Sequence, residues 1–100
     1  MQILWSDQAI NDLDSIINYI SQDNRDAAIG LALDLLNAVE HVIVDTPFIG
    51  RPGRVEATRE FTGVTPYIFV YQVTSNRLEV ITLRHGARRW PERFDPLDQK

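Results

Sequence analysis

Apolar residues in the first half of the chain recur at helical spacing. Ile10, Leu13, Ile16, Ile17 and Ile20 lie three or four apart where a turn of helix would bring them together, and Asn11, Asp12, Asp14, Ser15 and Asn18 fill the opposite face. That is the pattern of a helix with one buried stripe. Ser6 offers an N-cap oxygen, and Asp7 puts a negative charge in the first turn, where the helix dipole favours it. Gln22-Asp23-Asn24 reads as a turn. A second stripe follows through Ala28, Leu31, Ala32, Leu35, Leu36, Val39, Val42 and Ile43, with Asp26 as its expected cap. Gly30 weakens that helix by up to about 1 kcal/mol against alanine, unless it lets the first helix approach closely. Thr46-Pro47 is the expected end, because a residue before proline avoids helical geometry. So short a connection predicts an antiparallel helical hairpin over residues 6–46.

After Pro47 the period changes from about 3.6 to 2. Residues 48–54 hold two glycines and a proline and read as a loop. Residues 55–61 alternate, with Val55, Ala57, Arg59 and Phe61 on one face and Glu56, Thr58 and Glu60 on the other. Residues 66–73 are rich in β-branched and aromatic types, with Tyr67, Phe69, Tyr71 and Val73 on one face. Residues 74–77 read as a turn, and a returning strand follows. It sets Leu78, Val80, Thr82 and Arg84 against Glu79, Ile81, Leu83 and His85. A brief apolar strand, residues 1–5, opens the chain. The expected fold is α+β: a short N-terminal strand, an antiparallel two-helix hairpin, then a three-stranded antiparallel sheet. The helices cover one sheet face and the other is left open. The expected organisation is one domain over residues 1–100, with strands across 54–85 and a basic segment and tail over 86–100.

Composition changes this picture little, and charge changes it more. With 44% apolar residues and no cysteine, the chain is ordinary for a globular protein of a reducing compartment. No apolar run approaches the ~20 residues of a membrane span, so the expected location is cytoplasmic, away from membranes. His41 and His85 stand far apart with no thiolates, so no metal and no other cofactor is expected. The formal charge of −4 is divided unevenly. Before Pro47 Arg25 stands alone against eight acids, whereas Arg51 to Phe94 contains eight arginines and four glutamates. Overall acidity argues against a general grip on nucleic acid; the basic half suits a localised negative partner. The densest basic stretch is Arg84-His85-Gly86-Ala87-Arg88-Arg89-Trp90-Pro91, where arginine forks sit beside a titratable histidine and a large ring. Trp5 is expected as a core plug, His41 as a boundary residue, and Arg59 as either a partner of Glu56, Glu60 or Glu79 or a functional group.

Element order and local motifs together resemble the RelE/ParE superfamily of toxins from bacterial type II toxin–antitoxin modules. The resemblance runs through Trp5-Ser6, Asp12-Leu13, Tyr19-Ile20, Gly50-Arg51-Pro52-Gly53-Arg54, Thr58-Arg59-Glu60-Phe61, Phe69-Val70-Tyr71 and His85 to Pro91. It implies a cognate antitoxin as partner, with DNA reached only through that antitoxin. It also implies one of two targets. RelE-like members cut messenger RNA on the ribosome, whereas ParE-like members inhibit DNA gyrase by binding. RelE-like sites are similar in using lysines, arginines and a tyrosine near the C-terminus. Here Lys100 is the sole lysine and no tyrosine follows Tyr71. A related branch implies glutamate, arginine and histidine, for which Glu56 or Glu60, Arg59 and His85 are the candidates. The ParE-like reading is favoured: a binding inhibitor rather than an enzyme, with Arg84, Arg88, Arg89 and Trp90 at the target. Arg54 and Arg59 are candidates for the antitoxin. Ribosome-dependent mRNA cleavage is the alternative reading, and a module that only binds partners, without toxicity, is the second.

Overall fold

The computed structural model describes residues 1–64 and 66–86. Strand β1 (Gln2–Trp5) leads into helix α1 (Asp7–Ser21), helix α2 (Arg25–Asn37) and a π-helical continuation, Ala38–Ile43. Strands β2 (Arg51–Pro52), β3 (Arg59–Phe61), β4 (Tyr67–Val73) and β5 (Arg77–His85) follow. All five strands form one sheet in the order β1-β5-β4-β3-β2. The pairing is antiparallel from β2 through β5, and β1 lies parallel to β5. The fold is α+β with a helical hairpin on one sheet face, as the periodicities predict. No helix among the described residues is long and apolar enough to cross a membrane.

Ser6 joins the two layers. Its Oγ accepts from Ala9 N at 3.0 Å, capping α1, and donates to Ile81 O at 2.6 Å, while its own N–H donates to Val80 O at 2.9 Å. One residue thus ends β1, starts α1 and fixes both on β5. Asp12 continues the seal one turn later. Strand β1 stops at Trp5, so the edge of β5 beyond Val80 has no strand beside it. There the Asp12 carboxylate accepts from Leu83 N at 3.1 Å and from the Thr82 hydroxyl. Gln8 donates to its second oxygen at 2.8 Å.

The core lies between hairpin and sheet. Ala9, Leu35, Ala38, Val39 and Ile43 from the helices meet Tyr67, Phe69, Tyr71, Leu78, Val80 and Leu83 from the strands. Trp5 plugs it edge-on against Phe69, with ring centroids 6.2 Å apart. In α1 it is Ala9 that is buried, while Ile10, placed in the stripe by its spacing, faces out.

Several sequence expectations are corrected. Asn24, not Asp26, caps α2, accepting from Ala27 N at 3.0 Å; Asp26 lies in the first turn. The α-helix gives way at Ala38 to a π-helical stretch that ends at Ile43, with Val44 as its C-cap still in helical geometry and Thr46 N donating to Val42 O, so the helical run stops just before Thr46-Pro47. A Cβ on Gly30 would meet nothing within 4 Å, so Gly30 faces open space rather than α1. The strand expected over 55–61 shrinks to Arg59–Phe61. Residues 53–58 close as a loop instead: Gly53 N donates to Thr58 O, Thr58 N to Val55 O, and Ala57 adopts φ 67°. Arg51–Pro52, read as loop, pairs as edge strand β2. Its proline fits there because an edge N–H can go unpaired.

A bulge also inverts the faces of β5. Val70 pairs with Thr82 and Tyr71 with Val80, so one extra residue intervenes. Leu83 therefore joins Leu78 and Val80 in the core, and His85 pairs with Tyr67 on the helix side. Arg84 pairs with Ile68 on the other side. That other side is not open where β4 crosses it: Ile68 is 7% and Val70 1% exposed.

Candidate functional site

Two of the candidate catalytic side chains, Arg59 and Glu60, converge with Tyr71 on the loop between α2 and β2, where they hold backbone. Tyr71 is fully buried, and its hydroxyl donates to Pro47 O at 2.7 Å while accepting from Gly50 N at 3.0 Å. Burial pushes the Tyr71 phenol up from its ordinary value, opposed by the Gly50 hydrogen bond and by the Arg59 charge. Gly50 is required at this point, because a Cβ would lie 2.6 Å from the Tyr71 hydroxyl and 3.0 Å from Glu60 O.

Arg59 lies across from Tyr71 on β3. Its Nη1 donates to Gly50 O at 2.7 Å and to Phe48 O at 3.4 Å, and the guanidinium stacks 4.7 Å from the centre of the Phe48 ring. The glutamates named as possible partners do not pair with it. Glu60, next in sequence, points to the opposite face as alternation requires. It is 3% exposed and accepts from Arg51 Nη2 at 3.2 Å and from Arg54 N at 3.0 Å, with Arg54 Nε at 3.8 Å. Arg59 and Glu60 are thus the two clamps on the segment 48–54, one from each face.

His85 sits elsewhere. Its ring meets Tyr67 edge-on at 5.5 Å. Tyr67 is four residues along β4 from Tyr71, the partner of Arg59. At ~3.3 Å per residue and ~4.8 Å per strand, the Cα atoms of Arg59 and His85 are on the order of 16 Å apart. The structure therefore joins Arg59 with Arg54 around one loop and leaves His85 apart from both. Arg84 points away from the helices, and Arg88, Arg89 and Trp90 lie outside the described residues. Among the described residues no three His, Cys, Asp or Glu side chains cluster as metal ligands.

Two apolar surfaces escaped the sequence reading. Ile29, Leu33 and Leu36 form a stripe along the outer face of α2, Leu33 being 62% exposed; Leu36, expected in the buried stripe, belongs to this outer one. Their i, i+4, i+7 spacing was a visible signal, masked by the richer stripe on the buried side. Phe48 and Ile49 project from the clamped loop at 65% and 48% exposure. For them the sequence offered only two apolar residues inside a glycine- and proline-rich run.

The loop network gives a direct test. Tyr71→Phe removes the donor to Pro47 O and the acceptor for Gly50 N without changing ring packing. It is expected to cost about 1–3 kcal/mol, seen as a lower urea midpoint at unchanged slope. A raised folded-state value means that the neutral phenol stabilises. The contribution is complete below the ordinary tyrosine value of about 10 and is lost as pH rises through the folded one. The phenylalanine variant lacks that alkaline loss.

Comparison with known proteins places this arrangement. The family described as ParE toxin of type II toxin-antitoxin system, parDE, matches residues 3–90. "Putative toxin Y4kP" of Sinorhizobium fredii is 36% identical over 92 residues, covering 91% of this chain and 94% of that protein. Toxin RelE2 of Caulobacter vibrioides is 33% identical over 87 residues, covering 87% and 97%. Among solved structures, a chain of the chromosomal ParDE TA system from P. aeruginosa superimposes with a TM-score of 0.69 at 21% identity, over 85% of this chain and 95% of that one. That likeness speaks for the fold, and the sequence matches speak for the family. The chain belongs to the ParE toxin family of type II toxin–antitoxin systems.

Proposed function

We propose that this toxin arrests growth in the cytoplasm by binding and poisoning DNA gyrase, without breaking a bond itself, and that a cognate antitoxin silences it. The supporting observation is the separation of Arg59 and Glu60 from His85. RNA cleavage by 2′-hydroxyl attack needs a base, an acid and cationic donors around one phosphate, each within hydrogen-bond reach. Here Arg59 spends its donors on carbonyl oxygens of the 48–50 loop, and Glu60 is buried beneath Arg51 and Arg54 on the other face. His85 stands on the order of 16 Å from Arg59 by sheet register. Among the described residues no acid–base set is assembled, which fits a protein that acts by occupancy.

Target contact is assigned to Arg84, Arg88, Arg89 and Trp90, since tryptophan and arginine are the residue types richest in binding hot spots. Antitoxin contact is assigned to the α2 stripe of Ile29, Leu33 and Leu36 and to Arg54 and Arg59. An amphipathic antitoxin helix laid on that stripe buries apolar residues at matching i, i+4, i+7 positions. Purified toxin, freed of antitoxin, is expected to abolish gyrase supercoiling and accumulate cleaved DNA, and to leave messenger RNA on translating ribosomes intact. RNA cuts with normal supercoiling would sink the proposal.

A further inference from the structure

Resting on the antitoxin reading above, we infer that the segment seated on the α2 stripe is a basic amphipathic helix, apolar along one line with lysine or arginine at both ends of that line, about 20 Å apart. The seam it meets is longer than its three apolar residues. Asp26, Ile29, Leu33, Leu36 and Glu40 follow one another at spacings of three, four, three and four. That alternation keeps side chains on one line of a helix surface, and it is the repeat along which two helices pack. All five residues are exposed. Glu40 belongs to the π-helical continuation, whose wider turn still returns it, four residues after Leu36, to about the same side. The seam is thus an apolar centre closed at each end by a carboxylate.

Charge selects the occupant. From Arg25 to Ile43 the acids are Asp26, Asp34 and Glu40, and against them stands Arg25 alone. Among the described residues no ion pair or side-chain hydrogen bond engages Asp26, Asp34 or Glu40. Arg25 sits beside Asp26 and offsets part of that end. Within four residues of Glu40 the sequence has no lysine or arginine, and His41 is the one titratable base there. A helix laid on Ile29, Leu33 and Leu36 excludes water from both ends of the seam. A neutral or acidic partner would leave the carboxylates desolvated without compensation, whereas lysine or arginine at each end meets them with charge-assisted hydrogen bonds. A second copy of the chain is a poor match. Two α2 helices paired along this seam, parallel or antiparallel, set carboxylate against carboxylate at both ends.

The test titrates the antitoxin encoded with this toxin, by calorimetry at low and at high salt, into the wild type and into Leu33→Ser, Asp26→Asn/Glu40→Gln and Asp26→Lys/Glu40→Lys. All these positions are exposed, and thermal melts check that each variant is folded. Leu33→Ser is expected to raise Kd by about tenfold or more at both salt levels, as truncation of an apolar anchor does. At low salt the neutral double variant is expected to lose about threefold and the reversed one about tenfold or more, and both losses shrink at high salt. A weakened Leu33→Ser beside a reversed variant that binds like the wild type, or more tightly, overturns the inference while leaving the stripe as the antitoxin's site. Unchanged affinity in Leu33→Ser overturns the inference together with the stripe assignment. If Leu33→Ser then also dissolves dimers of the antitoxin-free toxin in sedimentation, the face belongs to a second copy. No binding even to the wild type removes the antitoxin reading and this inference with it.

Discussion

Asp12→Ala is expected to lower the unfolding free energy by about 2–3 kcal/mol, because it strands two donors at the edge of β5. The Leu83 N–H and the fully buried Thr82 hydroxyl both donate to the Asp12 carboxylate. Strand β1, which would otherwise pair that edge, has already turned into α1. Asp12→Asn keeps an oxygen for both donors, and Gln8 can turn its amide to present an acceptor to the new amide group. Its expected cost is below about 1 kcal/mol. The pair of variants separates loss of an acceptor from loss of a charge. Thr82→Val adds a second check. In the wild type it discards a satisfied hydroxyl, whereas on the Asp12→Ala background it removes an orphaned one. The double variant should therefore lose less than the sum of the singles. Urea unfolding of the four proteins measures this. An Asp12→Ala protein within about 0.5 kcal/mol of wild type would mean that water replaces the carboxylate at that edge.

That seal illustrates what the sequence could and could not reveal. Helical period exposed both helices, and the β-branched run of residues 66–73 exposed the central strand. These signals are local, and burial on one side of each element writes them into the chain. The role of Asp12 was not legible, because its partners lie about seventy residues away. In the first-helix pattern it counted simply as a polar position. Strand β2 was missed because two residues, one of them proline, carry no alternation. The bulge before Tyr71's partner was missed for the opposite reason. Alternation along β5 looked regular, and nothing in Val80-Ile81-Thr82 marks the residue that drops out of register. That one slip moved His85 to the helix side and Arg84 to the other.

The candidate site was read with similar limits. Alternation correctly separated Arg59 from Glu60, which point to opposite faces of the sheet. What they do was hidden, because their partners are mostly backbone groups of a loop: Gly50 O and Phe48 O for one, Arg54 N for the other. Loop carbonyls leave no mark in a sequence. Glycines leave a mark only where a side chain cannot fit, and Gly50 was such a mark: it is the residue that lets the Tyr71 hydroxyl reach the loop.

Replacing Arg88, Arg89 and Trp90 together by alanine is expected to raise the toxin concentration needed to half-inhibit gyrase by more than about tenfold, while His85→Ala leaves it within about twofold. Arg84, at the end of β5, points away from the helices and pairs across to Ile68, so the basic stretch begins on the face opposite the His85–Tyr67 contact. Arginine and tryptophan in sequence bring long-range attraction and a large desolvating ring to one contact. Loss of the charges should slow association and flatten its salt dependence, and loss of the ring should speed dissociation. Surface plasmon resonance at two ionic strengths resolves the two effects. The nuclease alternative expects the reverse ranking. With His85 as acid or base, His85→Ala would abolish toxicity while the fold and antitoxin binding persist, and the triple variant would act mainly by weakening attachment to the ribosome. Growth arrest that survives His85→Ala but not the triple variant, accompanied by cleaved DNA and intact messenger RNA, is the outcome that the separation of Arg59 from His85 leads us to expect.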